Sequence, residues 1–385
     1  MAPEDISLAT LTRLYVTKHH LVQKAKKGTI VDTVRGVCGL HAQVPTTPYL
    51  SLWNRVEGFD NRQLDEALYR DKTLVKAWYM RGTLHVIPSR DLPVYNTALR
   101  RMWFEHHGRF MRAPSWPPAD ERRKRIYPRI LEALADKPLR RKELKDRVRL
   151  LLKDDSQPYD RLFSGWGGIL KETSYEGLTV HAQPSGVESR FARRDKWLPH
   201  TDLATVDEEE AQQGLLLSYL TSYGPATLQD FSLWSGLVAG DAKRAAANAA
   251  AQLEEVQVTG AKGRFLMVQE DRKALDDVDL EEKAPPRLLP KYDSFLLGHK
   301  NRSRIIREEH KRLVFKPKVG DIAATLLING RIAGTWRHKT TKKKLTIMLS
   351  LFEKVSKADL KATEAEAVAL GTFMGYGEVE FARAS

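Results

Sequence analysis

Two stretches of this 385-residue chain hold side chains whose types and spacing could do chemistry: LHAQVP at 40–45 and VHAQPS at 180–185. Each sets a histidine two residues before a glutamine. An imidazole exchanges a proton near neutral pH, and an amide both donates and accepts hydrogen bonds. Held rigidly toward one small target, such a pair can orient a water molecule, and the imidazole can take its proton as the water attacks. Other chemistries find little support. The single cysteine, Cys38, excludes a disulfide framework and a zinc site of the Cys/His type. Its setting, VRGVCGL, reads as a small buried hydrophobe, not a nucleophile. GWGG at 165–168 is not a Walker motif. No metal and no cofactor is expected.

The two copies need different elements to position them. The first ends an apolar run, IVDTVRGVCGL, that fits a helix with Ile30, Val31, Val34, Val37 and Cys38 inward. Pro45 biases Val44 away from helical geometry. A new helix is predicted over TTPYLSLWNRV, with a threonine cap and Pro48 in its first turn. His41 and Gln43 are therefore expected in a turn between two helices. By spacing alone the plainer roles are favoured: His41 capping the helix, Gln43 satisfying loop carbonyls. The second copy lies in the alternating run LTVHAQP, so His181 and Gln183 share one face of a strand, solvated or against phosphate.

Helices followed by a hairpin recur along the chain. Helical runs at 7–23, 30–40 and 46–56 precede LVKAWYMRGTLHVIPS, which reads as a hairpin turning at Arg81-Gly82. Helical runs around IYPRILEALAD, RKELKDRVRLLL and RLFSGWGGILKETS precede a hairpin over GLTVHAQPSGVESRFARRDKWL. A third set, with Thr227 as a cap, Phe231 and Trp234 three apart and a strand pair turning at Gly260 to Gly263, is the clearest helix-turn-helix with a wing. Trp53 and Trp78 read as core. After an acidic, Pro-rich break, the β runs RLVFKP, AATLLING, RIAGTWRHK and KKLTIMLSLF, the hairpin signal Asn329-Gly330 and a helix near 357–371 suggest a small barrel. The expected fold is α+β: three tandem winged-helix modules (1–117, 118–203, 204–284) and a C-terminal β-barrel-like domain (285–385). No strict sequence repeat supports the tandem reading.

Lys and Arg number 63 against 49 Asp and Glu, a net charge of +14. That field attracts polyanions, nucleic acid first. A solubilising surface is the plainer alternative. RRKR at 122–125 and RRKELKDR at 140–147 read as phosphate-facing or solvated. MAPEDISLAT lacks the basic start and apolar core of a signal peptide, and no run reaches 18 apolar residues. A soluble, cytoplasmic, nucleoid-associated protein is expected.

LHAQVPTTPYLSLWNRVEG, with WYMRGTLHVIP downstream, resembles the AlkZ/YcaQ-like winged-helix DNA glycosylases. YGPATLQDFSLWSGL, LLPKYDSFLLGHKNRS and INGRIAGTWR match the same pattern, so the resemblance covers nearly the whole chain. It implies three winged-helix modules with a β-barrel, and excision of N7-alkylated purines, in some members with unhooking of interstrand crosslinks left by antibiotic genotoxins. The family's catalytic motif is two polar residues around one apolar residue, most often Gln-x-Gln or Gln-x-Asp, at the position of LHAQVP. His41 and Gln43 become the implied catalytic pair, of a His-x-Gln subgroup. Gln43 is expected to orient a water, and His41 to orient it too or to accept its proton. The motif holds no amine, so a monofunctional hydrolase is expected. The implied partner is double-stranded DNA carrying alkylated purines, bound by a monomer without membrane contact. Lesion recognition from the groove assigns DNA contacts to the basic hairpin RHKTTKKKL, with Arg337, His338, Lys339, Lys342, Lys343 and Lys344, and to Arg81 and His85 beside the lesion. A structural role for Arg81 is an equal alternative. The rival readings are a non-catalytic regulator of the same fold, preferring a sequence and binding as a dimer, and a family member that only binds lesions.

Overall fold

The computed structural model describes residues 5–106, 117–153, 159–165, 168–318 and 320–383. Part of the GWGG stretch, residues 166 and 167, lies outside them. The chain divides into two compact units. One comprises residues 1–61, 217–234 and 249–385, the other 62–216 and 235–248. Both mix helix and sheet.

In the first unit, the helix Leu8–Lys18 starts at Ser7, whose hydroxyl accepts from the Thr10 amide at 3.0 Å. Its buried face, Leu11 and Leu14, meets Ile6, Val256, Val258, Phe265 and Met267. These belong to a three-stranded sheet. The hairpin Leu253–Val258 and Phe265–Val268 forms as expected from sequence, and Asp5–Ile6 adds alongside it in parallel, pairing with Gln257 and Val258. The helix Leu228–Ser235 opens on a reciprocal cap: Thr227 N–H donates to Asp230 at 3.0 Å, and Asp230 N–H to the Thr227 hydroxyl at 3.1 Å.

Phe315–Lys316, from the run RLVFKP, pairs with Asp321–Ile322 in a separate two-stranded sheet, and five other C-terminal strands form one sheet. Its order is Arg287–Leu289, Thr325–Ile328, Arg331–Thr340, Lys344–Leu351, Glu378–Arg383. Asn329 and Gly330, both left-handed (φ 47° and 79°), make the tight turn their pair signals. The last two strands are parallel, with the helix Lys357–Phe373 as the crossover. The expected barrel does not close. Among the described residues the first and last strands of this sheet pair with no common neighbour, so it is an open sheet. A closing strand would have to pair with the last one, and the parallel crossover instead leaves that strand at the edge.

In the second unit, the hairpin Leu74–Trp78 and Leu84–Pro88 turns through Met80–Gly82. It joins the hairpin Thr179–Ser185 and Glu188–Arg193 through Lys76 opposite His181, and Leu139–Arg140 pairs with Glu188–Arg193 on the far side. Two segments read from sequence as separate wings thus share one sheet. The helices Leu92–His106, Tyr127–Ala133, Arg141–Leu152 and Gly168–Tyr175 belong to the same unit.

Candidate active site

The first HAQ copy leaves the helix Ile30–Gly36 through two successive left-handed residues, Cys38 (φ 55°) and Gly39 (φ 91°). The Gly39 amide donates back to the Val34 carbonyl at 2.9 Å, closing the helix end. Leu40–His41 is extended, and residues 43–46 bend into the helix Thr47–Arg55. Pro48 lies in its first turn, as expected. The threonine cap does not form: Thr46 caps no amide through its side chain. Thr47 instead donates its hydroxyl to the Lys291 carbonyl at 2.8 Å.

That bond begins a polar stripe. Thr47, Ser51, Asn54 and Arg55 lie at i, i+4, i+7 and i+8, the spacing of one helix face, and all four are buried. Asn54 donates to the Leu288 carbonyl at 3.1 Å. Ser51 donates to Asp293 at 2.8 Å, and Arg55 grips the same carboxylate at 2.6 and 2.9 Å. The stripe fastens the motif's helix to the stretch PKYDS at 290–294. Ser294 returns to the motif's other flank, donating to the Gly39 carbonyl at 2.8 Å.

Between these anchors stands Tyr292, left-handed at φ 57°. Its ring stacks on His41, centroids 4.8 Å apart and planes 16° from parallel. His41 is buried and Gln43 is exposed. The pair is split: one side chain faces an aromatic neighbour, the other solvent. Beside it opens a cavity of about 570 Å³, bounded by Val44, Thr46 and Leu50 on one side and Lys291, Lys316, Asp321, Trp336, Arg337 and His338 on the other. Lys291, Lys316 and Arg337 line it together with one carboxylate, Asp321, which Lys291 contacts at 2.6 Å. The Lys291 ammonium holds the Asp321 carboxyl below the usual carboxylate range. Burial, then Asp321, push the Tyr292 hydroxyl up. The site residues Tyr292, Asp293, Arg55, Lys291 and Asp321 had no individual signal in the sequence beyond the stretch KYDS.

The basic hairpin projects from the open sheet. Arg337, His338, Lys339, Lys342 and Lys343 are exposed, which is where a phosphate contact requires them. Partial desolvation lowers the basicity of the His338 imidazole. Lys344 differs: Glu378 and Glu380 each approach its ammonium to 3.3 Å and raise its basicity.

Arg81 and His85 belong to the second unit. Arg81 occupies the hairpin turn with φ 53° and is half-buried. His85 is buried, its Nδ1 3.0 Å from the Thr83 carbonyl. The second HAQ copy corrects its expectation. Gln183 is exposed, but His181 is buried between Trp78 and Phe191, at centroid distances of 4.6 and 4.8 Å. Burial drives its basicity well down. Neither solvent nor a phosphate reaches it. Trp53 and Trp78 are core, as expected.

The two basic runs are also not bare. Arg122 pairs with buried Glu172 at 2.9 Å and Arg123 with Glu176 at 3.1 Å. Arg140 engages Glu143 and Glu188, and Arg147 engages Asp136. Elsewhere, Glu309, His310 and Glu353 bring one possible metal-ligand atom each within 4.8 Å. Arg307 already occupies the Glu353 carboxylate at 2.8 Å. No helix of the described residues is long and apolar enough to cross a membrane.

Comparison with known proteins gives this geometry its context. A family model described as DNA glycosylase AlkZ-like matches residues 34–373. An interstrand DNA cross-link repair glycosylase of Streptomyces sahachiroi is 26% identical over 355 residues, 87% of this chain and 88% of that protein. The solved structure of the Streptomyces sahachiroi DNA glycosylase AlkZ is similar with a TM-score of 0.83 at 22% identity, covering 99% of this chain and all of that one. The chain belongs to the AlkZ-like DNA glycosylase family.

Proposed function

We propose that this protein is a monofunctional DNA glycosylase that hydrolyses the N-glycosidic bond of N7-alkylated purines in duplex DNA, and that its range extends to unhooking interstrand crosslinks. The observation that carries the reading is a buried imidazole stacked on Tyr292, with an exposed amide two residues on, beside the cavity that Lys291, Lys316 and Arg337 line. The name of the Streptomyces sahachiroi relative supports the crosslink part.

An N7-alkylated purine bears positive charge, so the bond from its N9 to the sugar C1′ is already weak. The electron pair of that bond goes to the base, which leaves neutral and needs no general acid. The sugar is left oxocarbenium-like, and a water adds its oxygen to C1′ while losing a proton. Gln43 orients that water through its amide. His41 orients it too or accepts the proton. No cofactor enters this chemistry. The cavity-lining amine of Lys291 is ion-paired to Asp321, which leaves it poorly disposed to attack the sugar.

The hairpin residues Arg337, His338, Lys339, Lys342 and Lys343 supply phosphate contacts, with Lys344 bracing the strand through its carboxylates. Arg81 and His85 shape the hairpin turn near DNA. We assign the segments 1–117, 118–203 and 204–284 to three winged-helix modules on one duplex, served by a single copy at the nucleoid.

The test uses calf-thymus DNA treated with a methylating agent, with released bases identified by mass spectrometry. Free 7-methylguanine above the protein-free control is expected. A duplex crosslinked by nitrogen mustard should also yield separable strands on a denaturing gel. Retention of every methylated base in the DNA would contradict the reading. An intact crosslink alongside released 7-methylguanine would remove only its crosslink part.

A further inference from the structure

We infer that Tyr292, anchored by Asp321, is a positioning residue that fixes the ring plane of His41. The inference rests on the glycosylase reading of His41 and adds a residue to that site.

A lone imidazole rotates about two side-chain torsions, and a general base or water-orienting group loses effectiveness when its nitrogen wanders. Covering one face of the ring restricts those torsions and leaves its edge to other groups. Tyr292 does this for His41: the rings are 16° from parallel at 4.8 Å, so the contact is with the face of the imidazole, and the ring nitrogens lie on its edge.

A stacking partner helps only if it is itself immobile, and Tyr292 is fixed at three levels. Its hydroxyl lies 2.9 Å from the Gly320 carbonyl and 3.1 Å from the Asp321 carboxylate, which share its one proton. Asp321 is in turn held by Lys291 at 2.6 Å. The backbone on both sides is tied to the motif's own helix, through Thr47 to the Lys291 carbonyl and through Arg55 and Ser51 to Asp293. Tyr292 also sits at φ 57°, a conformation disfavoured for an aromatic residue that persists only where its surroundings enforce it. A core aromatic has no need of that backbone. An aromatic that must present its face to one histidine does.

The test uses the full chain and a duplex with one N7-methylguanine, read as single-turnover rate against enzyme concentration. Tyr292→Leu should lower the saturating rate about ten- to a hundredfold and leave the half-saturating concentration within about twofold. Tyr292→Phe, which keeps the stack but loses the anchor, should recover most of the rate. In a His41→Ala background Tyr292→Leu should cause no further loss, because it acts through His41. A multiplicative loss in that background, or a change confined to half-saturation, overturns the inference. Folding is separated by the His41 imidazole resonance: its upfield ring-current shift should vanish in Tyr292→Leu and survive in Tyr292→Phe, and an unchanged resonance in Tyr292→Leu also overturns it. A wild-type protein without excision would fail the glycosylase reading itself, whereas active wild type with additive variants fails the positioning role alone.

Discussion

Arg55 and Asp293 form a two-pronged ion pair, at 2.6 and 2.9 Å, whose side chains are both 0% exposed. It joins the helix that follows the HAQ motif to the loop that carries Tyr292. Removing one partner of such a pair leaves a buried charge uncompensated, at a cost of about 3–5 kcal/mol. Asp293→Ala should lower unfolding stability by that amount in a urea titration and reduce excision with it. A loss below about 1 kcal/mol would mean that the pair does not hold the site together.

The two HAQ copies share a pattern, histidine buried and glutamine exposed, and differ in their neighbours: Tyr292 stacks on His41, whereas Trp78 and Phe191 enclose His181. His181 of the second copy predicts acid sensitivity. Its basicity is depressed in the folded protein, first by burial and then by Lys76 and Arg141. The unfolded chain therefore binds the extra proton more readily below the ordinary histidine pKa of about 6.5. Stability is complete above that pH and falls as pH drops through it, at up to about 1.4 kcal/mol per pH unit for this group. His181→Phe, which keeps an aromatic among Trp78 and Phe191, should flatten the decline between about pH 6.5 and 5. His19 and His299 are depressed in the same way and should retain the remainder of the slope. An identical pH profile for the variant would contradict the burial argument.

The basic hairpin should act through phosphates, and unequally. Lys342→Ala and Lys343→Ala should each weaken binding to undamaged duplex and reduce the slope of log affinity against log salt by about 0.9. Lys344→Ala should change that slope far less, because Glu378 and Glu380 already hold its charge. Fluorescence anisotropy across a salt series measures this. Equal slopes for the three variants would mean that the hairpin is a solvated surface.

Sequence reading reached the local features and missed the distant ones. The Asn329-Gly330 turn, the Thr227 cap and the third hairpin are written in adjacent residues, so they could be read directly. Arg55 and Asp293 are 238 positions apart, and nothing local in LWNRV says that its arginine will be buried. The same distance misled the reading of the basic runs, since the carboxylates that neutralise Arg122 and Arg140 include Glu172 and Glu188, in other elements. His181 alternates with apolar neighbours as a wing residue would. Its burial comes from the pairing of its strand with Leu74–Trp78, which periodicity alone does not reveal. Barrel closure failed for a related reason: strand runs were visible, but the order in which they pair was not. At the candidate site, the positions of His41 and Gln43 were legible, and the ring beneath His41 was not.

A labelled duplex with a single N7-methylguanine reports whether this protein breaks a glycosidic bond with the first HAQ copy. After incubation with protein, mild alkali cuts at any abasic site. Wild type should give that cut only after alkali, as a monofunctional enzyme must, and both His41→Ala and Gln43→Ala should lower its rate at least about tenfold, while His181→Ala leaves the chemistry of the first copy in place. Cleavage at the wild-type rate in both first-copy variants would contradict the site, and the absence of any alkali-labile product from wild type would contradict the activity.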